Sequence, residues 1–189
     1  MKKSNTRSRR HTFIGSAALL AGVALAPVAN AAASKPIDYY DAALCKPPMT
    51  IDWGFKVYDA VQKLGEPQKP ALNAAVYKAP KPIGKDGFES KEIVLTSDAI
   101  GVLVEGAKAE ALASRYRLSL EKPDPLLRAN ITKSYARKLD NQPSPELGTV
   151  YIIARESPLF PGKTWLACQL LSRSDEERAA AMQGTTDKK

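Results

Sequence analysis

The sequence predicts an α+β fold, with a mainly antiparallel sheet of about five strands, two helices packed on one face and a short C-terminal helix. Three observations carry this expectation. Apolar residues recur at helical spacing in two segments, β-branched residues crowd into short runs, and the order helix, hairpin, helix, strand, hairpin is not the alternation that builds a parallel sheet.

Residues 1–33 stand apart from that pattern. A basic start (Lys2, Lys3, Arg7, Arg9, Arg10) leads into an apolar run over 13–28, and Ala29-Asn30-Ala31 supplies small residues of the kind a signal peptidase reads, so a cleavable signal peptide is expected. The run is broken by Gly15, Ser16, Gly22 and Pro27 and is shorter than the roughly 20 residues that span a bilayer. Ser8-Arg9-Arg10 ahead of Phe13-Ile14 resembles a twin-arginine leader, although Thr12 stands where that pattern has an apolar residue. General secretory and twin-arginine export both stay open, as do cleavage after Ala31 and after Ala33. The remainder, 34–189, is expected as one α+β domain with a flexible start (34–48) and a frayed end (185–189), periplasmic or secreted and without a stable membrane anchor.

Within that domain, Pro47-Pro48 holds the chain extended and Thr50 is placed to cap a helix over 51–64, whose buried face carries Trp53, Val57, Ala60, Val61 and Leu64. Gly65 and Pro67 stop it. Residues 66–91 are rich in Pro, Lys and Gly, so 77–90 is expected as an exposed loop, with at most a short strand or turn over 72–77 before it. Runs 92–96 and 100–104 form a hairpin across Ser97-Asp98-Ala99, and a helix follows over 107–118. Residues 131–139 alternate as a strand. A second hairpin pairs 149–155 with 164–171 around Ser157-Pro158-Leu159-Phe160-Pro161-Gly162. Ser174 and Glu177 read as a capping box for a helix ending near Gly184. No internal repeat is visible.

The charge sharpens once the leader is set aside. The whole chain holds 28 Lys plus Arg against 20 Asp plus Glu, a net +8, but removal of the leader's five bases leaves 23 against 20, a net +3. With that modest excess, expected export and no recognition motif, nucleic acid is not an expected partner. The single histidine, His11, belongs to the leader. Without an imidazole, Ser/His/Asp and Cys/His nucleophile arrangements cannot be assembled, and zinc loses its usual ligands. Gly162-Lys163-Thr164 looks like the end of a P-loop, but Ser157 stands where the first glycine belongs. No catalytic residue, metal ligand or cofactor is therefore assigned.

Cys45 and Cys168 are the only cysteines, and in an oxidising compartment they are expected as one disulfide. Two segments are candidate partner-binding sites. Leu159 and Phe160 place large apolar side chains at a hairpin tip, and Lys78, Lys81 and Lys85 surround Phe88 in a basic segment. The expectation is an exported, soluble, non-catalytic protein that binds another macromolecule in the envelope, of inhibitor or immunity type. The alternative is a histidine-independent hydrolase or small-ligand-binding protein using carboxylates in a pocket between sheet and helices.

Overall fold

A computed structural model describes residues 36–71, 74–121, 130–140 and 145–178. The expected leader (1–33), the frayed end (185–189) and the last part of the terminal helix lie outside the described residues. The described residues form one compact unit.

The sheet has eight antiparallel strands rather than about five, seven of them four residues or longer and one a two-residue pairing. These are β1 (Gln68–Ala71), β2 (Ala74–Lys85), β3 (Phe88–Leu95), β4 (Ala99–Glu105), β5 (Ser119–Leu120), β6 (Lys133–Lys138), β7 (Gly148–Glu156) and β8 (Lys163–Ser172), in the spatial order β1-β2-β3-β4-β8-β7-β6-β5. Helices α1 (Tyr39–Ala43), α2 (Ile51–Gln62) and α3 (Ala109–Tyr116) lie over one face, and residues 173–178 form α4. Each half of the sheet is thus a helix followed by a four-stranded meander, α2 with β1–β4 and α3 with β5–β8, and the two meet where β4 pairs with β8. The repeat absent from the sequence is present in the topology.

The largest correction concerns 77–90, which is strand and not loop. Asp86 and Gly87, at φ 58° and 84°, form a two-residue turn of the kind that Asp-Gly favours, and β2 and β3 pair on either side of it, from Lys85↔Phe88 to Ala75↔Leu95. The prolines that suggested a loop fall in an irregular stretch of β2: Pro80 and Pro82 lie between the pairs Lys78↔Glu92 and Ile83↔Ser90. Proline is tolerated there because it has no N–H to offer a ladder.

The start of the domain is the second correction. Far from being a linker, 39–43 is a helix whose N-cap Asp38 accepts from the amides of Tyr40 and Asp41, and Tyr40, Ala42, Ala43, Leu44 and Cys45 are buried. It rests on the junction of the halves, beside Val102 and Val104 of β4 and Leu166 and Cys168 of β8. The terminal helix is capped by a different pair from the one expected: Ser172 Oγ accepts from Asp175 N at 3.2 Å and donates to the Asp175 carboxylate at 2.6 Å.

The other expected helices and strands among the described residues are present with bounds within about two residues, except that β3 starts four residues ahead of the expected 92–96 run. Thr50 Oγ1 accepts from Trp53 N at 3.1 Å, Val57 and Val61 are fully buried, and both expected hairpins form. Helix α3 has no cap of its own. The sheet supplies one, Thr164 Oγ1 accepting from Lys108 N at 2.7 Å and Glu156 Oε1 from Ala109 N at 3.1 Å.

Both faces of the central strands are buried. Val102, Ile152, Leu166 and Cys168 pack under the helices, while Val94, Leu103, Ile153 and Ala167 are buried on the opposite face with Trp165 beside them. A Cβ on Gly101 would lie 2.5 Å from both Leu166 O and Trp165 Nε1, so the indole is seated in space that only glycine leaves.

Candidate functional site

The sheet ends under the first turns of α2, and there the helix does not close onto it. Leu95 and Ile100, flanking the β3–β4 turn, with Val150 of β7 and Leu170 of β8, form the floor of an apolar cleft of about 250 Å³. Ile51, Phe55 and Tyr58 of α2 form its opposite wall, with Met49 before the helix and Leu147 of the short 3₁₀ turn Pro145–Leu147 at the ends. Gly54 also faces the cleft, and a Cβ there would meet nothing nearer than Met49 Sδ at 4.0 Å. A glycine inside a helix costs about 1 kcal/mol relative to alanine, and here it leaves the cleft open.

The three α2 side chains are unusually exposed for their size, Ile51 at 53 %, Phe55 at 65 % and Tyr58 at 52 %. Positions 51, 55 and 58 share one helix stripe, while Val57 and Val61 on another bury into the sheet. Helix α2 is therefore apolar on two sides. Sequence reasoning missed the second stripe because it asked only which residues could face the core, although the i, i+4, i+7 spacing of 51, 55 and 58 is as regular as the buried one.

One corner of the cleft is polar, formed by Thr96, Ser97 and Asp98. Its carboxylate is already engaged: Thr96 Oγ1 donates to Asp98 Oδ1 at 2.7 Å, and Gln169 Nε2 donates to Oδ2 at 2.7 Å. Asp98 O also accepts from Leu170 N at 2.8 Å, so the turn is fastened to β8 and the corner is rigid.

The expected disulfide is present. Cys45 and Cys168 are joined, tying the end of α1 to β8 across 123 residues, with Cys45 at 5 % and Cys168 at 0 % exposure.

The other candidate residues lie elsewhere. The Leu159–Phe160 tip and the β2–β3 turn are both at the opposite end of the sheet from the cleft, as the register of Ser90 with Val104 and of Glu105 with Lys163 requires. Phe160 packs back toward Ala74, Val76, Val94 and Leu103, because that apolar cluster lies within its reach, and only Leu159, at 37 % exposure, faces out. Lys78 and Lys81 are exposed on β2, but Lys85 pairs with Asp41 of α1 at 2.5 Å and the Phe88 ring lies 6.3 Å from that of Tyr116. The basic hairpin is thus docked on the helices.

Several polar side chains outside the cleft are paired in ways that hold elements together. Arg115 hydrogen-bonds Asp86 at 2.5 Å and Tyr116 Oη lies 3.0 Å from the same carboxylate, holding that carboxyl below its ordinary range. Buried Ser134 donates to Glu121 at 2.6 Å and accepts from Arg155 Nε at 2.9 Å, while Arg155 also pairs with Glu121 at 3.0 Å. The Glu121 carboxylate that accepts from this serine is the one held by Arg155, so the three side chains form a closed set that ties Glu121, β6 and β7 together. Lys163 pairs with Glu92. Among the described residues, no group of three or more His, Cys, Asp or Glu could hold a metal ion, and no helix is long and apolar enough to cross a membrane. The buried cysteine pair fits an extracytoplasmic protein.

Set beside known protein families, curated proteins and solved structures, the chain matches none of them.

Proposed function

We propose that this is an exported, non-catalytic binding protein that docks another macromolecule of the envelope on the exposed stripe of α2 and the cleft beside it. The observation that carries the reading is the exposure of Ile51, Phe55 and Tyr58 next to an apolar cavity bounded by a rigid turn. Large side chains left in water beside a preformed cleft have the composition of interface hot spots, where a few aromatic and apolar residues carry most of the affinity. The paired state of Asp98 also favours binding over acid-base chemistry, since a carboxylate holding a turn in place is a weak candidate for proton transfer. An inhibitor or immunity protein is the most concrete form of this role, with α2 rather than the 157–162 tip as its docking element.

A photo-cross-linking residue at position 55, in the protein exported from living cells, tests the proposal. The expected result is one discrete adduct, lost when Ile51→Asp and Tyr58→Asp are added and retained with Phe160→Ala. Absence of any adduct above that of a control position on α3 sinks it.

A second reading has one observation behind it. The cleft is larger than the roughly 150 Å³ cavity that holds benzene, so a small apolar molecule also fits. Saturable binding of a neutral naphthyl fluorophore with no protein adduct would favour that alternative.

A further inference from the structure

The one charged residue of the lining and the charged sequence neighbours of the lining residues are together opposite in sign to the chain's overall balance. Five charged residues either line it or adjoin a lining residue in sequence: Asp52, Asp59, Asp98 and Glu146 against Lys56 alone. That is a local net charge of −3 on a domain expected to carry +3. Asp52, Asp59 and Glu146 are exposed and enter no ion pair among the described residues. Elsewhere on the molecule Asp41, Asp86 and Glu110 each have a cationic partner, while the exposed Glu66, Glu89 and Glu105 likewise enter no ion pair among the described residues.

We infer that the cleft receives an apolar side chain carried on a cationic segment of a partner protein, a phenylalanine- or leucine-sized anchor flanked by lysine or arginine. The inference rests on the proposed docking role and adds the chemistry of the partner. The apolar floor takes the anchor, Gly54 leaves room for its width, and the acidic rim meets the flanking cations. An anionic amphiphile is disfavoured by the same rim, because its head would lie beside Asp98 with the anchor in place. Complementary rim charge of this kind raises association rate and selects partners more than it adds affinity, and it is screened by salt.

The test uses the oxidised, exported protein and two capped tetrapeptides, Lys-Phe-Leu-Lys and Glu-Phe-Leu-Glu, titrated while the Gly54 and Ser97 amide resonances are followed. The lysine peptide is expected to bind about tenfold more tightly in low salt, an advantage that shrinks to about twofold when salt screens the rim. The double variant Asp52→Asn, Asp59→Asn brings the two peptides within about twofold, and Phe55→Ala abolishes both titrations. Equal affinities in low salt, preference for the glutamate peptide, lysine-peptide binding that survives Phe55→Ala, or no binding of either at millimolar concentration overturns the inference. So does concentration-dependent self-association that Phe55→Asp removes, which would make the occupant a second copy of this chain. A position-55 adduct without charge preference defeats this inference alone, whereas loss of adduct and peptide binding together defeats the docking role as well.

Discussion

Tyr116 Oη lies 3.0 Å from the Asp86 carboxylate and 3.2 Å from Tyr40 Oη. A carboxylate can only accept, so the single proton of Tyr116 goes to Asp86 and its oxygen accepts from Tyr40. A chain of three side chains thereby joins the turn of the basic hairpin, through α3, to the buried start of the domain.

Acid sensitivity should reside partly at this turn. The Arg115 hydrogen bond first, then that of Tyr116, holds the Asp86 carboxyl below its ordinary value. A depressed folded value means that the stabilisation is present above the ordinary carboxylate range, near 3.9, and is lost as pH falls through the lower folded value. In urea titrations between pH 6 and pH 2, Asp86→Asn should lower the midpoint at pH 6 and flatten its decline toward pH 2. An unchanged slope would assign the acid response to other groups.

At the alkaline end Tyr40 is the group to watch. Burial, and then the hydrogen bond with Tyr116, pushes its phenol well above the ordinary value of about 10. A raised folded value gives stabilisation that is complete below about pH 10 and is lost as pH rises past it, because the unfolded chain ionises there first. Tyr40→Phe should cost about 1 kcal/mol at pH 7 through the lost hydrogen bond. It should also reduce the decline in stability between pH 9 and pH 11, as followed by guanidinium denaturation.

The disulfide closes a loop set by its 123-residue separation. Loop-closure entropy puts its contribution at about 4 to 5 kcal/mol, with residual unfolded-state structure reducing it. The double variant Cys45→Ser, Cys168→Ser should show that loss in urea unfolding at pH 7. A difference below about 1 kcal/mol would mean that packing of α1 suffices without the bond.

Gly101→Ala forces a Cβ to within 2.5 Å of a backbone carbonyl and of the Trp165 indole. Overpacking of this kind costs about 1 to 3 kcal/mol. The loss should be accompanied by a change in near-ultraviolet dichroism as Trp165 is displaced, and wild-type stability would refute the close fit.

Phe55 and Phe160 should separate docking from folding. Because Phe55 is 65 % exposed, Phe55→Ala should shift the urea midpoint by no more than about 0.5 kcal/mol equivalent. Phe160→Ala uncovers the Ala74–Leu103 cluster and should cost about 1 to 3 kcal/mol, less than a fully buried phenylalanine. The reverse order would place the apolar face of α2 inside the fold.

The fold class, α2 with its Thr50 cap, α3, both expected hairpins and the cysteine pairing were legible because each rests on local periodicity, a cap or elimination. The strands of 68–90 were not. Pro80, Pro82 and the lysines read as loop and the Asp86-Gly87 turn went unnoticed, yet those residues suit a strand whose ladder is interrupted where the prolines fall. Helix α1 was hidden because five residues span little more than one turn, too few for an apolar spacing to repeat, and Tyr40 is held by neighbours more than 60 residues away. The cleft was illegible for another reason. Its floor comes from β3, β4, β7 and β8, which only the fold brings together, and its wall is the apolar stripe of a helix already assigned a buried face.

The meeting of β4 with β8 has a consequence for the order in which the chain can assemble. Each four-stranded half is built from neighbours in sequence and can form early, since short connections close at little entropic cost. The seam cannot form until residues 163–172 have arrived, and α1, made from some of the first residues of the domain, then caps strands contributed by some of the last. A chain translocated from its N-terminus would carry its start unfinished until β8 emerged, and oxidation of Cys45 onto Cys168 would record that the two halves had become one domain.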